Sequence, residues 1–268
     1  MVECHYKGTA LPETVYHYLM QPFTQPLHLV RNQTAMKTLL TLLTISLATA
    51  PLLAQSWKQN RPVANISSLR ASAGVDVFLR QGNTESLTLD VKGFDEDEVI
   101  AEVRDGQLNL SRRQRSGING FSFGRSQYIK AYVTVRQLAN IELSSGSDLE
   151  GETDLRADNL TVKVSSGADM TLRVNAQTLT ITVSSGADAN LSGSVGKLTA
   201  AASGGADLKA DQLRADICYA EASGGADARV YGAKELYLRA SGGGDVTYRG
   251  PGRVMARKES GGGDINED

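Results

Sequence analysis

A five-residue turn, Ser-(Ser/Gly)-Gly-x-Asp, returns seven times in the second half of this 268-residue chain. It ends at Asp148, Asp169, Asp188, Asp207, Asp227, Asp245 and Asp264, drifting from SSGSD through SSGAD and SGGAD to SGGGD. Its third position holds Gly146, Gly167, Gly186, Gly205, Gly225, Gly243 and Gly262. Successive aspartates lie 21, 19, 19, 20, 18 and 19 residues apart. A period near twenty marks a solenoid, in which each repeat buries its apolar face only by stacking on its neighbours.

Strands flank every turn. Counting back from the turn serine, offsets one, three and five are apolar in six of the seven copies, from Leu143, Ile141 and Ala139 to Ala240, Leu238 and Leu236. The offsets between them hold mostly polar residues such as Glu142, Lys163, Thr180, Tyr219, Glu221, Tyr237 and Arg239. Strict alternation describes a strand with one face buried. It resumes after each aspartate, as in Met170 and Leu172 or Ala228 and Val230, until a polar corner such as Asn175-Ala176-Gln177. A nineteen-residue unit has room for two or three short strands and their corners, and none for a helix of ordinary length. The predicted fold is all-β: a right-handed parallel β-helix, with like residues stacked about 4.8 Å apart and a less regular, strand-rich amino-terminal part.

Glycine at the third turn position fits a corner that needs positive φ. The serine hydroxyl and the aspartate carboxylate are expected to satisfy N–H groups freed at the bend. The last copy departs from the pattern, with Arg257 and Glu259 at inward offsets. A polar interior in a terminal repeat is how a solenoid is capped.

Residues 1–35 carry all three histidines and no repeat. At Met36-Lys37 a charged start leads into an apolar run, Leu39 to Leu47, and then small residues ending at Ala54. That order is a secretory signal peptide over 36–54, too short in its apolar core for an ordinary membrane-spanning helix. Translation from Met36 and cleavage before Gln55 are predicted, leaving 1–35 as a mis-assigned upstream extension and 55–268 as a single domain with no membrane span. The competing reading starts at Met1 and makes the apolar run an internal anchor. Without residues 1–54 the chain has 25 basic and 28 acidic residues, net −3, and no basic face of the kind nucleic acid requires. Cys218 is then the only cysteine, inward by its offset, so it is expected to be buried and unreactive.

Residues 56–61 read as a polar lead-in. Ser72-Ala73-Gly74-Val75-Asp76 is a degenerate copy of the turn, Asp105-Gly106 a hairpin signal, Arg112 to Gly124 a basic, glycine-rich loop, and Tyr128 to Val135 a strand. With Trp57, Arg61, Gln81-Gly82 and Asp105-Gly106-Gln107-Leu108 set before the turn ladder, the chain resembles the head GIN domain family over essentially all of 57–268. Its members are exported bacterial proteins labelled auto-transporter adhesins. The resemblance implies a β-helical fold and an extracytoplasmic place, the periplasm or cell surface of a Gram-negative bacterium, but no reaction and no defined ligand residues. The chain ends at Ile265-Asn266-Glu267-Asp268 without membrane strands, so self-translocation is not expected.

The aspartate ladder is the most tempting site. Carboxylates about 4.8 Å apart repel by roughly 0.9 kcal/mol in a water-like dielectric. Calcium sites want several oxygen ligands, whereas each turn here has one acidic residue. A structural ladder with no cofactor is the preferred reading. Catalysis is disfavoured: the mature chain lacks histidine, the commonest general base, and coils differing by three residues leave little room for a walled cleft. Asp95 to Glu98 and Arg112 to Arg115 are charge runs, which usually mean solvated loops. Binding of a glycan or an envelope protein is expected, with Tyr219 and Tyr237 as outward aromatics that suit sugar rings. A purely structural envelope rod is the alternative, and a polysaccharide-acting enzyme comes after it. Oligomeric state is not legible.

Overall fold

The computed structural model describes residues 56–113 and 127–268. The expectations placed on the leader, its cleavage point and most of the basic loop after Arg113 lie outside these residues. The described chain belongs to one contact unit, Leu53–Asp268, built almost wholly of strands.

The regular coils are β10 (Leu155–Ser165), β11 (Asp169–Ser184), β12 (Asp188–Ser203), β13 (Asp207–Ser223) and β14 (Asp227–Ser241). They pair in parallel, like on like: Leu172 with Leu191, Leu179 with Leu198, Ser184 with Ser203. Hydrogen bonds in this arrangement run along the stack rather than within a coil. Pairing therefore continues through the polar corner, where Asn175 faces Ser194 and Ala176 faces Val195. The expectation of two or three separate strands per coil is corrected accordingly. From β11 to β14 a coil is one bent strand of 15 to 17 residues closed by one turn.

Each coil has an Asp run after the turn and a Ser run before the next. In β11 the Asp run buries Met170, Leu172 and Val174, and the Ser run buries Leu179, Ile181 and Val183. Both columns merge into one core. Each fully buried leucine or valine contributes on the order of 1.5–3 kcal/mol, and the repeat multiplies this along the axis. Cys218 lies in the inward column, fully buried, and burial pushes its thiol up to about 12. One inward assignment fails: Ala139 is exposed and Leu138 is buried instead. The Ser run of that copy, β8 (Asn140–Leu143), starts only at Asn140, and the residues before it form a bend.

The amino-terminal part is threaded out of order. β2 (Ser68–Ala71) and β3 (Val75–Gln81) form a coil around the turn Ser72-Ala73-Gly74. On one side β2 pairs with β8, and β3 with β9 (Asp148–Gly151). On the other side lie β6 (Gln107–Arg112) and β7 (Tyr128–Val135), also parallel. The first coil in sequence is thus clasped between two coils made later. Antiparallel strands close this end: β4 (Ser86–Lys92) on β7, β1 (Ser56–Arg61) on β4, and β5 (Val99–Arg104) on β6. The lead-in is corrected to a strand, anchored where Trp57 Nε1–H donates to Phe94 O at 2.8 Å. Asp105 and Gly106 both have positive φ and turn β5 into β6, as a type I′ hairpin requires.

The carboxyl-terminal edge is made by β15 (Asp245–Arg249), β16 (Arg253–Ser260) and β17 (Ile265–Glu267). A bulge in β16 throws out Met255, which is 47% exposed. Beyond it, Arg257 faces Leu238 and Glu259 faces Ala240, so charge occupies the inward columns. Arg257 donates to Glu259 Oε1 at 2.7 Å and to Ile265 O at 2.6 Å, and Ile265 N–H donates to the same Oε1 at 2.9 Å. Those bonds hold Glu259 below the usual carboxylate range. A charged pair in an edge strand discourages pairing with another sheet.

Candidate functional site

The turns stack into one continuous edge. In all seven copies both the second and third positions have positive φ, from Ser145 at 57° and Gly146 at 68° to Gly261 at 58° and Gly262 at 79°. Two consecutive left-handed residues are the signature of a type I′ turn. Sequence reasoning singled out the third position and missed the second, although the drift from serine to glycine there was the available signal. The degenerate copy follows the same path, Ala73 at 62° and Gly74 at 75°.

The fourth position was also missed. Its side chain points inward: Ser147, Ala168, Ala187, Ala206 and Ala226 are fully buried. At Gly244 a Cβ would lie 2.5 Å from Ser223 N and 2.7 Å from Ala222 C, so the backbone of the coil beneath leaves no room for alanine. Ser147 is the polar exception, and its Oγ accepts from Val75 N–H at 3.3 Å, tying the interleaved coil to the regular stack.

Turn N–H groups are satisfied mainly by the neighbouring rung rather than by the serine and aspartate side chains. Ser185 N–H donates to Ser203 O at 3.2 Å, Gly186 N–H to Gly204 O at 3.2 Å, and Asp188 N–H to Ala168 O at 3.1 Å. The expectation of side-chain capping is corrected: in-register stacking already supplies a carbonyl for these groups. An exception is Asp245 Oδ1, which accepts from Asp264 N–H at 3.2 Å.

The aspartates form one outward column, Asp148, Asp169, Asp188, Asp207, Asp227 and Asp245 in direct register, continued by Asp264. Asp76 extends it at the other end, where Val77 pairs with Leu149. The column then alternates in sign, with Lys130, Asp90 and Lys58 on successive strands. Burial, then the Asp169 and Asp76 charges, push the Asp148 carboxyl up from its ordinary value, against a bond from Asp169 N–H. Burial raises Asp76 as well, with Lys130 opposing it. Among the described residues no three His, Cys, Asp or Glu side chains come together as a metal site.

The Ser run carries a different array. Its outward columns are Thr180, Thr199, Tyr219, Tyr237 and Ala256, and beside them Thr182, Ala201, Glu221, Arg239 and Lys258. Register places the tyrosine rings one rung apart, and they stack at 4.4 Å between centroids with planes 9° apart. Lys197 Nζ lies 4.9 Å from the Tyr219 centroid, a cation over an aromatic face. Tyr219 is 37% exposed, and Tyr237 O–H donates to Glu235 Oε2 at 3.1 Å. The stack borders an open depression of about 320 Å³, lined by Tyr219, Glu221, Tyr237, Arg239, Ala256 and Lys258 among others.

A larger open cleft of about 1030 Å³ lies at the polar corners, beside the 21-residue coil. Gln81, Arg136, Asp154, Arg156 and Asp158 line it. It corrects the expectation that near-uniform coils leave little room for a cleft: the bends at 82–85 and 136–139 supply walls that the repeat does not. Its carboxylates are already engaged, Asp154 with Arg173 at 3.6 Å and Asn175 at 3.3 Å, Asp158 with Gln177 at 3.3 Å. Gln81 staples its floor, donating to Arg136 O and Arg156 O and accepting from Arg156 N–H. Of the charge runs, Asp95 to Glu98 form a tight turn in which Asp95 N–H donates to Glu98 Oε2 at 2.8 Å, and Arg112 lies over the Phe94 ring at 5.0 Å.

A family profile described as "Putative auto-transporter adhesin, head GIN domain" matches residues 65–252. Among solved structures, a "putative adhesin" from Bacteroides fragilis superposes with a TM-score of 0.71 at 18% identity, covering 80% of this chain and 97% of its own. A "putative adhesin" from Parabacteroides merdae gives 0.64 at 15%, covering 80% and 96%. A "putative lipid binding protein" from Parabacteroides distasonis gives 0.60 at 13%, covering 80% and 97%. At such identities the likeness is one of fold. No curated protein matches the chain.

Proposed function

The chain belongs to the head GIN domain family of auto-transporter adhesins, and from that premise we propose that it is an exported, non-catalytic binding module of the cell envelope. Its place is the periplasm or cell surface of a Gram-negative bacterium, reached through the signal peptide at 36–54. Its ligand is a glycan, met on the flat Ser run. The observation that carries this reading is the outward stack of Lys197, Tyr219 and Tyr237 beside a 320 Å³ depression. Aromatic rings offer an apolar body beside polar groups, which is what the C–H face and hydroxyl rim of a sugar require. The aspartate ladder serves as structure rather than as an ion site, because each rung brings a single acidic residue and rung-to-rung backbone bonds already hold the edge.

A second reading, a rigid envelope rod with no ligand, is favoured by the backbone pairing that runs from β10 to β14 with interruptions only at bulges, as between Ala210 and Arg214. A glycan array probed with the exported protein and with Tyr237→Ala separates the two. Specific hits for the parent that vanish in the variant support the module. Silence for both supports the rod, and turnover of an arrayed polysaccharide restores the enzyme.

A further inference from the structure

Resting on the glycan reading above, we infer that the Tyr237 depression is selective for saccharides bearing a carboxylate, such as uronic acids. Tyr219 is sandwiched, with Lys197 over one face and Tyr237 against the other. Tyr237 has Tyr219 on one face, and the next residue in its column is Ala256. Ala256 brings only a methyl group to that side, so the depression opens against the half-buried Tyr237, and the β16 bulge that throws Met255 outward sets this spacing.

The neighbouring column then decides the chemistry. Arg239 and Lys258 face each other across the rung beside Tyr237 and Ala256, and all four line the same depression. Lys258 has no ion pair among the described residues. Arg239 approaches Glu221 only to 3.5 Å, through Nε, which is long for a hydrogen bond. A sugar ring lying on Tyr237 therefore presents its ring substituents to one ammonium and one guanidinium, with the single carboxylate of the lining, Glu221, one rung away beside Tyr219. A guanidinium matches a carboxylate through two parallel bonds, where an ammonium acts as a point charge. The other run of every coil carries the aspartate column, so an acidic chain is repelled there and favoured here. Selectivity of this kind uses repulsion as well as attraction.

The test uses oligogalacturonate and the same oligosaccharide after reduction of its carboxyl groups, titrated against the mature protein. The parent should prefer the acidic form, with the preference fading at high salt. Arg239→Gln and Lys258→Gln should each reduce that preference by roughly 1.5- to fivefold, weakening the acidic form more than the reduced one, the size expected of exposed charges. Ala256→Leu fills the depression beside Tyr237 from an exposed edge strand and should weaken both ligands without unfolding the protein. Equal affinity for the two forms overturns the carboxylate inference while leaving the glycan reading intact. Binding of neither form to the parent, together with a silent glycan array, removes the glycan reading and the inference with it. A preference that survives both charge variants, or acidic binding untouched by Ala256→Leu, overturns the assignment to this depression.

Discussion

Two glycines of one turn family differ in why they are glycine. Gly186 sits at φ 67° with nothing within 4 Å of where a Cβ would be, so its constraint is conformational. Gly244 has no positive φ, yet a Cβ there meets the backbone of the coil beneath at 2.5 Å. Gly186→Val should cost roughly 1–3 kcal/mol, more than Asp188→Asn, and Gly244→Ala should lower the melting temperature more than Gly186→Ala does. Urea or thermal melts decide it, and the reverse order for the two alanine variants would place the strain wrongly. The same melts run with calcium and with chelator should coincide for the parent; a rise of many degrees with calcium would make the aspartate column an ion site. Asp148 supplies a pH test. Its folded pKa is raised above its ordinary value of 3.8, by burial first and then by Asp169 and Asp76. Its contribution is therefore complete below the unfolded value and lost as pH rises through the folded one. Asp148→Asn should melt above the parent at pH 7, with the gap narrowing towards pH 4. The third-position glycines were legible because positive φ selects residue type directly. The fourth-position constraint was not, because it depends on how closely two coils approach.

At the scale of the element, the two ends of the solenoid solve the same problem differently. The amino-terminal end is covered by antiparallel strands, and the carboxyl-terminal end relies on the Arg257–Glu259 pair in β16. Restoring the apolar column with Arg257→Leu and Glu259→Ala should convert that edge into a template for another copy. Size-exclusion chromatography over a range of concentrations should show association of the double variant but not of the parent; a monomeric double variant would mean the charges do not guard the edge. The cap was readable in sequence because Arg257 and Glu259 fall at offsets that six earlier copies fill with apolar residues. The single bent strand per coil was not, since polar corner residues such as Asn175 and Gln177 look the same whether or not their backbone stays paired.

Across the whole molecule, the repeat made the regular coils legible from one number, its period, while the threading at the amino-terminal end left no such trace. Val77 pairs with Leu149 and Ser147 bonds Val75 across 72 residues, and a parallel partner that distant in sequence has no local signature. The tyrosine stack was visible only as two outward aromatics; its closeness, its lysine cover and the depression beside it come from register and a bulge. The clasped first coil also has a mechanical consequence. Under tension between its ends, the carboxyl-terminal coils are free to peel one rung at a time, each releasing about nineteen residues of slack. β1 unzips early too, being bonded on one edge only among the described residues. β2 and β3 resist longer, because tension from the amino-terminal end reaches them while their ladders are still gripped from both sides. A chain built this way gives ground gradually at one end and keeps a clamp at the other.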